Sequence, residues 1–216
     1  MAIKIFVTAT NTNVGKTHTT LSMMEEAARQ GLRPAAFKPI ETGVTDEKPA
    51  DGTALLKAMH RLNPVTEKLT TNDVVPLQFK LPAAPYVAKG DQTIVLGPVI
   101  EKSKQIEALC DILFIEGAGG VMVPIDEGLF MIDLPKLFDA HTLLISPSRL
   151  GSINDTLLSM EALNHRGIGF DLAINLFEDM ESFEYITLPY YERTGISHSL
   201  LPRDLSALVR RFNRLR

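Results

Sequence analysis

The apolar run Ile3-Lys4-Ile5-Phe6-Val7 leads straight into Thr8-Ala9-Thr10-Asn11-Thr12-Asn13-Val14-Gly15-Lys16-Thr17. This junction limits the possible folds more than any other part of the chain. The run reads as a buried strand, and Leu21, Met24 and Ala28 then fall at helical spacing. A strand, a loop of small residues and Gly-Lys-Thr at a helix start form a loop whose N–H groups converge on an anion. The helix dipole favours negative charge there, Lys16 adds a point charge, and Thr17 offers a hydroxyl to a Mg²⁺ ion that accompanies a nucleotide. The second glycine that usually opens such a loop is missing, and Ala9 is the small residue nearest that point. The competing reading is a plain strand-to-helix turn whose lysine faces solvent.

Short runs that are apolar on both faces recur at Ile3–Val7, Ala35–Phe37, Ile112–Ile115, Leu143–Ile145 and Leu172–Ile174, with a further candidate at Val74–Phe79. Helical patterns lie between them, near 16–30, 52–62, 97–109, 152–166 and 203–215. Alternation of this kind predicts a doubly wound α/β fold, a mostly parallel sheet with helices on both faces. At 216 residues the chain is read as one domain, 1–216. Ligands in such folds sit at the carboxyl ends of the strands.

Hydrophobic residues at 45% and charged residues at 22% are ordinary globular values. The net charge of −4 argues against bulk nucleic-acid binding, and no apolar run is long enough to span a membrane. The N-terminal segment lacks the pattern of a secretory signal, and Cys110 is the only cysteine, so a cytoplasmic protein without internal disulfides is expected. Cys110 reads as a space-filler before a strand. The stretch 42–49 reads as an exposed loop, and the last helix as a packed element with a basic solvated side, the alternative being an RNA or membrane contact. The five histidines show no metal-ligand spacing.

The remaining candidates stand at predicted strand ends. Lys38, after the second run, can neutralise phosphoryl charge or lie on the surface. Asp51 can cap the next helix, reach Mg²⁺, or do both. Glu116, before Gly117-Ala118-Gly119-Gly120, is the strongest carboxylate candidate for a metal, against a structural glutamate in a glycine-rich turn. Ser152 and Asn154 are available as caps after the fourth run. Asn175 can read a nucleobase edge or form a turn.

Taken together, these pieces resemble the ATP-dependent dethiobiotin synthetase family of P-loop NTPases. The likeness rests on Thr-x-Thr-x-Val-Gly-Lys-Thr at 10–17, Phe37-Lys38-Pro39, Thr42-Gly43, Asp51 and Pro82-Ala83-Ala84-Pro85. It continues with Glu116-Gly117-Ala118-Gly119-Gly120, Leu150-Gly151-Ser152-Ile153-Asn154 and Asn175. The family's phosphate loop is one residue longer than the common form, which accounts for the missing glycine.

The resemblance implies a cytoplasmic homodimeric ligase of biotin biosynthesis. It takes 7,8-diaminononanoate, CO₂ or bicarbonate and ATP, with Mg²⁺, and closes a ureido ring through a carbamate and a carbamic-phosphoric anhydride. It implies Lys16 and Lys38 as catalytic cations, and Thr17, Asp51 and Glu116 as metal ligands. Asn13, Val14, Gly15, Lys16, Thr17, His18 and Asn175 would hold the nucleotide. Thr12, Lys38, Thr42, Gly117, Gly151 and Asn154 would hold the substrate, the loop 150–154 reaching into the neighbouring subunit.

The chain departs from the family pattern in four places. Ala9 replaces a glycine, Asn11 and Asn13 replace acidic residues, and Leu176 stands where an aspartate often follows the base-reading asparagine. The last change predicts weaker discrimination among nucleotides. Two other readings share the expected fold. A dimeric switch ATPase of the partitioning or site-selection type usually carries an extra lysine early in the loop, and positions 9–14 hold none. A cobyrinate-type amide synthetase needs a glutaminase partner.

Overall fold

The computed structural model describes residues 2–45, 48–177 and 180–215. Six parallel strands form the central sheet. Across it they run β2 (Pro34–Phe37), β5 (Ile112–Glu116), β1 (Ile3–Ala9), β8 (His141–Pro147), β9 (Phe170–Asn175) and β10 (Ser199–Leu201). From β1 the chain crosses toward β2, whereas from β8 it proceeds through β9 to β10 at the other edge. This reversal opens the carboxyl ends beside β1 to a ligand. Every residue of β5 is buried, as is all of β1 except Lys4, which is why their sequences lack the alternation of a half-exposed sheet.

The helices Lys16–Arg29, Ala50–Leu62 and Leu205–Phe212 pack side by side along Lys16–Arg29, and Leu96–Glu107 packs on β2 and β5. The α/β architecture and all five clear runs are as the sequence predicts. Element ends shift by one or two residues, except that the last helix ends three residues earlier than expected. The last helix covers Leu205–Phe212, followed by a single tighter turn at Asn213–Leu215. Leu208, Val209 and Phe212 are buried, whereas Leu215 is exposed. Part of its basic side is spent within the fold: Arg211 pairs with Asp171 of β9 at 2.7 Å, and Arg210 donates to Ser206. Cys110 is buried directly before β5, as expected, and burial pushes its thiol up to about 12. No described helix is long and apolar enough to cross a membrane.

The candidate strand 74–79 is corrected. Val74 ends a short helix, Thr71–Val74, whose start is held by a reciprocal box between Thr70 and Asp73. After Pro76 only β4 (Leu77–Phe79) is extended. It pairs in parallel with β3 (Ile40–Thr42) in a small sheet apart from the main one. The expected exposed loop 42–49 is also only partly exposed, because Val44 and Pro49 are buried; Asp46 and Glu47 lie outside the described residues. A hairpin of β6 (Pro124–Asp126) and β7 (Leu129–Phe130) follows β5. A helical stretch from Met180 to Thr194, with a wider π-helical turn at Phe183–Thr187, precedes β10.

Phe114 is fully buried at the middle of β5, paired with Ile5 on one side and Ala36 on the other. Phe114→Ala is expected to lower unfolding stability by about 3–5 kcal/mol in chemical denaturation, because a ring is lost where backbone pairs on both sides resist collapse.

Candidate nucleotide and substrate site

The loop after β1 begins at Thr10, whose N–H donates to Ile145 of β8 at 3.0 Å. Ala9 keeps a negative φ, so the missing glycine leaves no strain; among described non-glycine residues only Asn13 and Asp139 have positive φ. Gly15 turns the chain into the helix Lys16–Arg29 with φ 86°. A Cβ on Gly15 would come within 2.3 Å of Asn175 Nδ2, so the end of β9 presses directly on the loop. Asn175 Nδ2 donates to the Val14 carbonyl at 3.2 Å. Leu176 is buried among Ile174, Phe183 and Tyr191, and the next residue, Phe177, is exposed.

Register places the acidic residue. Val7 of β1 pairs with Glu116 of β5, so the Glu116 carboxylate lies close to the base of the loop. Its Oε1 accepts from Thr17 Oγ1 at 2.8 Å and from Lys38 Nζ at 2.7 Å. Lys38 Nζ also contacts Asp51 Oδ2 at 2.9 Å. Glu116 is fully buried, and its second oxygen, Oε2, has no hydrogen-bond partner. Burial alone favours the neutral form of Lys38. Together, the carboxylates of Glu116 and Asp51 outweigh burial and hold the ammonium well above the usual lysine range. For Asp51, burial pushes upward, but Lys38 and the Thr17 hydroxyl prevail and hold it below the usual carboxylate range.

Lys16 has the opposite environment. Among the described residues its Nζ donates only to the Asn11 carbonyl, at 3.1 Å. Burial, reinforced by repulsion from Lys38, lowers it to about 8, against the weaker pull of Glu116 and Asp51. Two lysines of one site are thus set apart by their partners, one locked as a cation and one poised to titrate.

A cavity of about 270 Å³ is lined by Thr12, Asn13, Gly15, Lys16, Thr17, His18, Lys38, Glu41, Thr42, Asp51, Ala118 and Gly119. A second cavity of about 470 Å³ shares Thr12, Thr42, Ala118 and Gly119 with it and continues along Pro82, Ala83, Ala84, Pro85 and Val123. Most of the residues singled out from the sequence therefore converge. Val14 is buried beneath the loop, and Gly117 lies behind the wall with its N–H bonded to Val7. Gly151 and Asn154 are exposed at the start of the helix Ser152–His165 and line neither cavity of this chain. That helix starts after Gly151 with no side-chain cap, so neither Ser152 nor Asn154 caps it. The cap reading of Asp51 is likewise corrected: Pro49 occupies the cap position and Asp51 lies inside the first turn.

Glu41 belongs to the site although no sequence motif singles it out. It is buried in the cavity wall and accepts from the N–H groups of Asp51 and Gly52. The one signal that could have found it is a helix start behind a proline with an acidic residue ten positions before Asp51.

The profile of the AAA domain family matches residues 4–175. Over 188 residues the chain is 52% identical to the ATP-dependent dethiobiotin synthetase BioD of Sulfurovum sp. (strain NBC37-1), covering 87% of this chain and 89% of that protein. The chain belongs to the ATP-dependent dethiobiotin synthetase family. The synthetase of Wolinella succinogenes is 37% identical over 191 residues, 87% of this chain and 88% of its own length. Among solved structures, the MinD cell division protein of Aquifex aeolicus superposes with a TM-score of 0.55 at 15% identity, over 98% of this chain and 87% of that one. This likeness shows the shared fold alone, a doubly wound parallel sheet as the sequence predicts.

The titration of Lys16 predicts a pH dependence. An anionic phosphate favours the protonated lysine, so the bound pKa lies above the free value of about 8. ADP affinity should be flat below pH 8, and above it Kd should rise by about tenfold per pH unit until the bound lysine titrates too. Calorimetric titration from pH 6.5 to 9.5 measures this, and Lys16→Met should bind weakly with no such slope.

Proposed function

We propose that the protein is an ATP-dependent dethiobiotin synthetase that carboxylates 7,8-diaminononanoate and closes its ureido ring. The observation that carries this is that the two cavities share a wall. A space bordered by Lys16, Thr17 and Lys38 adjoins, across Thr12, Thr42, Ala118 and Gly119, a larger and less polar groove. Such a groove suits an aliphatic diamine whose reacting nitrogen must reach the phosphoryl group.

One amine of the substrate adds to CO₂ and loses a proton, giving a carbamate. A carbamate oxygen attacks the γ-phosphorus and ADP departs. The second amine then attacks the carbonyl carbon of the mixed anhydride, phosphate leaves, and the ring is closed. Aliphatic amines have pKa values of roughly 10, so a site that uses the neutral amine gains from cationic surroundings. Lys38 remains charged, and together with Lys16 it stabilises the negative charge of the carbamate and the transferring phosphoryl group.

Thr17, Asp51 and Glu116 would hold Mg²⁺, which supplies charge neutralisation for the triphosphate. The fit is chemical: three hard oxygen donors, one of them beside the buried, unpartnered Glu116 Oε2. Mg²⁺ takes one or two protein carboxylates and completes its shell with phosphate and water oxygens. In our reading, Asn13 through His18 cradle the phosphates and Asn175 reads the base. Gly117 lets the wall behind Glu116 approach, and Gly151 and Asn154 serve the site of the other subunit of a homodimer. Exposed Leu150, Met122 and Leu158 near that helix start supply an apolar surface suited to such a partner.

The decisive assay supplies the diamine, bicarbonate, Mg²⁺ and ATP. Phosphate release should depend on the diamine and match dethiobiotin formed one to one. Phosphate release that continues without the diamine would favour a dimeric switch ATPase of the partitioning or site-selection type. Lys38→Met should lower kcat by about 10²–10³-fold, the usual loss when one preorganised charge is removed.

Base selectivity gives a second test. Leu176 turns inward where the family often has an aspartate, so the base loses a polar contact. GTP and CTP should support turnover within about tenfold of ATP, and a preference for ATP of about a hundredfold would rule out the relaxed pocket.

A further inference from the structure

The helix Ala50–Leu62 begins behind Pro49, which has no side-chain acceptor to offer its first turn. Two of that turn's N–H groups are nevertheless paired. Glu41 Oε1 accepts from Asp51 N at 3.0 Å, and Oε2 accepts from Gly52 N at 2.9 Å. A carboxylate on β3 thus acts as a cap supplied by another element, and its negative charge meets the positive end of the helix. A Cβ on Gly52 would lie 2.1 Å from Val75 Cγ2, so a bare backbone lets this turn pack against Val75, while Glu41 Oε2 would stay at an ordinary contact distance of 3.4 Å.

The braced turn carries Asp51, whose side chain is 42% exposed and reaches Lys38 at 2.9 Å. Its position is set from two ends, by Lys38 at the carboxylate and by the braced backbone beneath it. Both Glu41 oxygens are occupied by backbone donors, so Glu41 itself is poorly placed to serve as a ligand although it borders the cavity. The neighbouring Thr42 lies on the same strand and lines both cavities.

We infer that Glu41 is a positioning residue for the metal site: it fixes the first turn of the helix Ala50–Leu62 so that the Asp51 carboxylate stands beside Thr17 and Glu116. The inference rests on the Mg²⁺ reading above.

The test compares the full-length wild type with Glu41→Gln, Asp51→Asn and the double variant. Calorimetry measures the affinity for a non-hydrolysable ATP analogue with and without Mg²⁺, and thermal melts confirm folding. Glu41→Gln should leave metal-free binding within about twofold and reduce the Mg²⁺-dependent gain in affinity by about tenfold, the usual range for residues that orient a ligand. In the Asp51→Asn background the same change should have no further effect on that gain.

A folded Glu41→Gln variant with the full Mg²⁺ gain, or effects that add in the double variant, would overturn the inference. Should Glu41→Gln not fold, hydrogen exchange on the wild type decides. The Asp51 and Gly52 amides should be protected as strongly as the helix interior, and rapid exchange there overturns the brace. A wild type whose nucleotide affinity ignores Mg²⁺ would remove the metal reading itself, and the inference with it, an outcome distinct from a failure confined to Glu41.

Discussion

A single ammonium group, that of Lys38, joins the elements that make the site. It leaves the end of β2, touches Glu116 at the end of β5, and reaches Asp51 in the first turn of the helix Ala50–Leu62. Thr17, at the start of the helix behind the phosphate loop, bonds the same Glu116 oxygen. A fully buried carboxylate is costly unless it is paired and hydrogen-bonded, and taking away one partner of such a pair leaves a charge that nothing nearby can screen. The sheet therefore holds Glu116 only because Lys38 and Thr17 are where they are. Conversely, Lys38 stays protonated in a dry interior only because two carboxylates face it. In the proposed site this arrangement would keep negative charge near the triphosphate without letting it dominate, since the lysine offsets part of it.

The contrast between Lys16 and Lys38 follows from the same physics. Both are buried and both border the cavity. Lys38 has two anionic neighbours, so pairing wins over desolvation. Lys16 has a neutral carbonyl and a like charge nearby, so desolvation wins. A phosphate entering the loop reverses the balance for Lys16 by supplying the anion it lacks. The two lysines thereby divide their roles, with Lys38 organising the protein's own carboxylates and Lys16 available to the ligand.

How much of this was legible in the sequence depends on whether the signal was local. The strands β1, β5 and β8 are runs buried on both faces, and a buried run announces itself. The strand β10 is three residues long, and its place in the sheet comes from pairing with β9 rather than from its own composition. The segment around Val74 misled because its two valines favour a strand, while the Thr70–Asp73 box and Pro76 set a helix and then a break. In the site, Lys38 and Glu116 stood at strand ends and Lys16 and Thr17 at the helix start behind β1, so all four could be placed from topology alone. Glu41 could not, because its role exists only through a helix that begins on a different element. Gly151 and Asn154 line neither cavity of this chain and stand exposed at the start of the helix after β8.

The fold by itself leaves the chemistry open. The MinD cell division protein shares the architecture at 15% identity, and one fold can serve a nucleotide switch or a small-molecule enzyme. What separates the two uses is the space next to the γ-phosphate. A switch needs that position to report on the nucleotide, through loops that move when phosphate leaves. A synthetase needs an acceptor held against the phosphorus and water kept out. Here the neighbourhood is walled by β3, by the Pro82–Pro85 segment and by the Ala118–Gly119 turn. Two prolines stiffen one wall, and Thr42 is anchored through β3 to β4. Walls of that kind favour a fixed groove over a moving reporter, and a fixed groove is what positions an amine for attack.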